Sequence, residues 1–121
     1  MDERSHHPLM KVPGVPPGDL AALAQRHPEA RFLACGAFLS DIKTLASASN
    51  IWVELSLLES GQPLHSAVGA LGPDRVVFGS HSPFLYFEAV AAKLDVDPQD
   101  VPPEVVDAVR EHNAMLLLGE G

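Results

Sequence analysis

A single cysteine among 121 residues, Cys35, excludes an internal disulfide, so nothing in the chain calls for an oxidising compartment. Basic residues are scarce. Eight Lys and Arg against sixteen Asp and Glu leave a formal charge of −8, with no positive cluster to neutralise phosphates. That excludes nucleic acid and an anionic membrane surface as main partners. Long apolar runs are missing too: none approaches the ~18–20 residues of a spanning helix. Met1-Asp2-Glu3-Arg4-Ser5-His6-His7 lacks the basic-then-apolar order of a secretory signal. The expectation is a soluble, cytoplasmic protein with no membrane partner.

What is present describes one globular domain over residues 1–121. The 46% hydrophobic and 20% charged content supplies enough apolar surface to offset the entropy of ordering, and the length suits a single core. Residues 1–18, with Pro8, Pro13, Pro16, Pro17, Gly14 and Gly18, read as a Pro-rich leading loop. Asp19 then offers an N-cap to a helix over Leu20–Arg26 that ends before Pro28. Arg31–Cys35 is an apolar run of strand length stopped by Gly36. The unit repeats. A short helix over Asp41–Ala46 precedes a strand over Ile51–Leu55, and a helix over Pro63–Leu71 ends at Gly72-Pro73 before a strand over Arg75–Gly79. A helix over Phe84–Leu94 follows. Residues 98–121 form a C-terminal helical region that starts at Pro102-Pro103 and stops at Gly119.

Strands recurring every twenty-odd residues, with one helix in each interval, give the rhythm of βα units in a parallel sheet. The class is α/β, and two architectures fit: an open doubly wound sheet or part of a (β/α)₈ barrel. Neither GxGxxG nor GxxxxGK[ST] occurs, which weakens any nucleotide-binding reading.

Alternation along the strands separates two faces. Phe32, Ala34, Ile51, Val53, Val76 and Phe78 make an apolar face suited to helices. The opposite face carries Leu33, Trp52 and Val77 and ends in Cys35, in Glu54 with Ser56, and in His81. Parallel sheets place ligands at the carboxyl ends of strands, so this clustering is site-like. Each residue has a plainer reading as well. A lone Cys is most often a small apolar filler, and that is the expectation for Cys35. Glu54, in an apolar strand, requires a partner or a function. His81, between Gly79-Ser80 and Pro83, is the best candidate for chemistry. His27, His65 and His112 read as surface residues. His6-His7 is either a solvated arm or a pair of ligands at a strand end. No HExxH, CxxC, Ser/His/Asp order or paired-carboxylate motif is present.

Arg75-Val76-Val77-Phe78-Gly79-Ser80-His81-Ser82-Pro83-Phe84 resembles the last barrel strand of the amidohydrolase-related proteins, whose usual run there is Phe-Gly-Ser-Asp-x-Pro. Asn113-Ala114-Met115-Leu116-Leu117-Leu118-Gly119 resembles their closing Asn-Ala-x-x-Leu-Leu-Gly helix. Asn50-Ile51-Trp52-Val53-Glu54-Leu55-Ser56 resembles their seventh strand and Arg31-Phe32-Leu33-Ala34-Cys35-Gly36 their sixth, preceded by the His27-Pro28-Glu29 turn. The resemblance implies a metal-dependent hydrolase fold, here a partial TIM (β/α)₈ barrel of about four C-terminal βα units. It implies a small organic substrate with a C–N, ester or lactone bond, or a related decarboxylation. A complete barrel runs ~250 residues, and the family's first-strand His-x-His pair has no counterpart in this sequence. On the matching positions, His6 or His7 stands for the fifth-strand His, Cys35 occupies the sixth-strand His position and His81 the eighth-strand Asp. The resemblance thus implies His81 as a catalytic acid/base and His6, His7, Cys35 and His81 as candidate ligands of a divalent metal, zinc above all; Glu54, the carboxylate read from its apolar strand, is the second catalytic candidate. The alternative is a non-catalytic half-barrel that serves as a binding or assembly module. In both cases self-association or a missing N-terminal half is expected.

Overall fold

In the computed structural model, residues 14–58, 62–80, 87–94 and 101–119 are described. Helix α1 (Pro17–Arg26) leads to strand β1 (Phe32–Ala34). A 3₁₀ turn at Leu39–Asp41 runs into helix α2 (Ile42–Leu45), followed by strand β2 (Ile51–Glu54), helix α3 (Pro63–Leu71) and strand β3 (Val76–Val77). Helix α4 (Phe87–Ala91) closes with a 3₁₀ turn at Ala92–Leu94. The last helical run comprises α5 (Pro103–Asp107), a π segment (Ala108–His112) and α6 (Asn113–Leu117).

The three strands form one sheet in the order β1-β2-β3, and both pairings are parallel. Phe32, Leu33 and Ala34 stand opposite Ile51, Trp52 and Val53; Val53 and Glu54 stand opposite Val76 and Val77. The α/β rhythm read from the sequence therefore produces the parallel order it predicts. Ile51, Val53 and Val76 are fully buried with Ala24 of α1, Leu45 of α2, Leu64 and Ala67 of α3, and Val109 of the last helical run. Phe32 and Phe78 are half-buried against the same core, so the apolar face is the one the alternation assigns. On the other face Leu33 is 41% exposed and Trp52 half-buried. Val77, on that same face, is only 4% exposed.

Several boundaries differ from the sequence expectation for local reasons. Helix α1 starts at Pro17 rather than Leu20, because extended Pro16 (φ −61°, ψ 134°) serves as the cap and Pro17 has its φ preset for the first helical position. Asp19 lies inside the first turn instead of capping it, where its charge favours the helix dipole. The second helix begins as a 3₁₀ turn because the Phe38 N–H donates to Asp41 Oδ2 (3.0 Å). Strand β1 stops at Ala34, before Gly36 turns the chain at φ 69°. Strand β3 stops at Val77, and just beyond it the Phe78 N–H donates to the Val109 carbonyl of the π segment (3.0 Å). Helix α3 keeps its predicted bounds, with Pro63 at its start and Gly72 (φ 90°) at its end. The helix expected over Phe84–Leu94 is described from Phe87 onward; its first three residues, like His6, His7 and His81, lie outside the described residues.

Two amides and a guanidinium pin the ends of these elements. Asn50 Nδ2 donates to the carbonyls of Ala24, His27 and Ala30 (3.0, 2.9 and 2.8 Å), tying the end of α1 and the turn that follows it to the start of β2. Arg75 donates to the carbonyls of Leu71, Ala48 and Ile51 and so fastens α3 to the start of β2. Burial lowers the pKa of its guanidinium, a group that nevertheless stays charged at any physiological pH. Asn113 Nδ2 donates to the carbonyls of Pro73 (2.7 Å) and Val76 (2.9 Å), joining α6 to β3.

Candidate functional site at the carboxyl ends of the strands

Parallel pairing in this register brings Cys35, Glu54 with Ser56, and Gly79 with Ser80 to the same end of the sheet. Glu54, the last residue of β2, is 6% exposed, and Ser56 is fully buried beside it. A carboxylate withdrawn from water must replace its lost hydration with donors, and Glu54 has three. Its Oε1 accepts from the Gly36 N–H (2.6 Å) and from the Ser56 hydroxyl (2.7 Å), and its Oε2 accepts from the Ser56 N–H (2.8 Å). Donors aimed at a charged acceptor are the stronger kind of hydrogen bond, and these are short.

The two glycines that flank this carboxylate are there for different reasons. Gly36 adopts a left-handed conformation that side-chain-bearing residues rarely take, and its N–H meets Oε1. Gly79 is a matter of space. A Cβ placed on it would lie 2.5 Å from Glu54 Oε2 and 2.9 Å from Glu54 Cβ. The carboxylate thus bonds the chain leaving β1, belongs to β2, and rests directly on the chain leaving β3.

Behind it, Lys93 Nζ donates to the carbonyls of Leu55 (3.3 Å), Ser56 (2.7 Å) and Leu58 (3.1 Å), binding the turn that leaves β2. No local pattern points to this role: Lys93 stands at the end of a helix, more than thirty residues from the carbonyls it holds. Ser56 was legible as a polar residue on the same face as Glu54, but not as a double donor to it. Gly36 was legible only as a strand stop.

Of the residues proposed from sequence, Glu54 and Cys35 stand at this end of the sheet. Cys35 is exposed, which corrects its reading as an apolar filler; the turn at Gly36 that follows ends the strand and puts the thiol at the surface. His6, His7 and His81 lie outside the described residues. His27, His65 and His112 are exposed, as expected of surface residues. Among the described residues no three His, Cys, Asp or Glu side chains converge in a way that would hold a metal ion. Cys35 is the sequence-proposed ligand among them, and it does not make a metal site with Glu54. An open depression lined by Glu104, Asp107, Ala108, Arg110, Glu111 and His112 lies along the last helical run and shares no residue with the strand-end cluster. No helix among the described residues is long and apolar enough to cross a membrane.

The amidohydrolase family profile matches residues 6–119. No curated protein matches the chain. Among solved structures, a zinc-bound amidohydrolase from Burkholderia multivorans is similar with a TM-score of 0.68 at 17% identity. The likeness covers 85% of this chain and 49% of that one, so this chain spans about half the length of the structure it resembles.

Proposed function

From the premise that this chain belongs to the amidohydrolase family, we propose that it is the C-terminal, hydrolase-like part of a (β/α)₈ barrel. In this reading residues 1–121 are a single domain, about four βα units long, with residues 1–18 leading in and residues 98–121 closing it. It acts on a small organic substrate through a C–N, ester or lactone bond, or a related decarboxylation, at the carboxyl ends of the strands. The observation that carries the proposal is the parallel sheet whose strand ends gather Cys35, Glu54, Ser56 and the Gly79-Ser80 segment leading to His81. Open parallel sheets and barrels bind ligands at this end.

His81 is the group assigned to proton transfer, since a neutral imidazole titrates near physiological pH and accepts or donates as the step requires. His6 or His7 with Cys35 and His81 is the ligand set to test for zinc, the metal bound in the Burkholderia multivorans structure. The described residues do not by themselves assemble a metal site.

The half-length match favours a second reading, in which the chain is a non-catalytic half-barrel that binds or assembles and meets its complement in a second copy or a separate N-terminal half. Assaying purified protein against p-nitrophenyl esters, anilides and lactones, with and without added zinc, separates the two. Turnover that the His81→Ala variant loses supports the hydrolase. Absence of turnover from the chain in every condition overturns it as an autonomous activity and leaves the assembly reading.

A further inference from the structure

We infer that Glu54 is a positioning residue: its carboxylate is a strut that ties the exits of all three strands and so sets the geometry of the Cys35-Gly36 turn and of the Gly79-Ser80 segment. This goes beyond the hydrolase proposal and does not depend on it. A group that exchanges protons with substrate must be reachable, yet Glu54 is 6% exposed and both its oxygens are engaged by donors of its own chain. Each of those contacts has a structural consequence. The bond from Gly36 fixes the peptide unit that links Cys35 to the left-handed turn. The two bonds from Ser56 fold the chain leaving β2 back over the carboxylate, where Lys93 clamps the same turn through three carbonyls. The close approach to Gly79 leaves no room for a side chain there and holds the exit of β3 against β2.

The Cys35-Gly36 turn and the Gly79-Ser80 segment are therefore held in register by one buried side chain. Glutamate suits the task because it is long enough to reach Gly36 from the neighbouring strand. As an anion it makes stronger bonds to N–H donors than a neutral acceptor would.

The test reads the Cys35-Gly36 turn directly. Cys35 is the sole cysteine and is exposed, so its rate of reaction with a disulfide reagent such as dithionitrobenzoate reports on the turn beside it, and amide exchange at Gly36 reports on the bond itself. In Glu54→Ala, Gly36 exchange should rise by about tenfold or more once the acceptor is gone, with a changed Cys35 reaction rate. Glu54→Gln keeps the reach and one carbonyl oxygen, so it should restore most of the Gly36 protection. Asn50→Ala, which removes three side-chain hydrogen bonds at the far end of the sheet, is the control for general destabilisation. Should Glu54→Ala fail to fold, Ser56→Ala removes one of the three donors and should loosen the same two probes to a smaller degree. If Gly36 and Cys35 respond to the loss of Glu54 or of the Ser56 hydroxyl no more than to Asn50→Ala, the strut assignment is overturned. It is overturned equally if Glu54→Gln fails to restore protection while keeping wild-type thermal stability.

Discussion

At position 79 a hydrogen atom is the largest substituent the Glu54 carboxylate will accept. Gly79→Ala places a methyl 2.5 Å from Oε2, and the neighbour that must give way is held by three hydrogen bonds. The cost expected is that of overpacking, about 1–3 kcal/mol, read as a fall in thermal midpoint. The double variant Gly79→Ala/Glu54→Ala should cost less than the sum of the two single changes, because the clash needs the carboxylate. Additive losses would show that the two residues do not press on each other. At this scale the sequence was informative about type and silent about partners. A glutamate in an apolar strand announced that something must satisfy it, while the satisfying groups were a backbone N–H in the turn after the neighbouring strand and a serine two residues on. Composition and periodicity do not reveal either. The reading of Cys35 failed on the same ground: burial of a cysteine depends on where the next turn sends the chain, and Gly36 sends it outward.

Elements were legible where their signals are local and strong. Helix α3 lies between a proline and a glycine, each in the place its backbone preference dictates, and its bounds matched the expectation. Strand ends were less legible because the backbone around them meets distant groups. Just past Val77, the outward-facing N–H of Phe78 is taken by the carbonyl of Val109, far along the chain. The last helical run, expected only as a helical region starting at Pro102-Pro103, contains the π segment, whose Val109 carbonyl meets β3, with the Asn113 amide at the start of α6 meeting it beside that bond. Asn113→Ala should leave the Pro73 and Val76 carbonyls without their donor, at a cost of about 1–3 kcal/mol. Hydrogen exchange should then show α6 loosening from β3 ahead of global unfolding. Equal destabilisation of every element would argue that this contact is not what docks the helix.

For the whole molecule, the family and the parallel α/β plan were readable from residue patterns spread over most of the chain, whereas the extent of the barrel was not. A pattern of βα units fixes the kind of sheet but not how its edges are met. Leu33 and Phe38, each 41% exposed at and just beyond β1, are apolar surface that association would cover. Sedimentation in dilute neutral buffer is therefore expected to show a species larger than one chain. A compact monomer whose Trp52 fluorescence resists an ionic quencher would show that the chain covers this face by itself. Zinc titration of the same sample is expected to show stoichiometric binding if His6 or His7, Cys35 and His81 act together, and Cys35→Ser should then weaken it; unchanged affinity would remove the thiol from the ligand set.

The bond between Asn113 and the Val76 carbonyl also sets a schedule. Its two partners are 37 residues apart, so a ribosome adding about 5–20 residues per second delivers the covering amide roughly 2–7 s after the strand it protects. During that interval the outer edge of β3 has emerged, or is emerging, without the helix that will occupy it, and unpaired strand edges are templates for foreign strands. The vulnerable moment in the life of this protein is thus during synthesis rather than after it, and slowing translation between Val77 and Val109 should raise the fraction lost to aggregation even though the finished protein is unchanged.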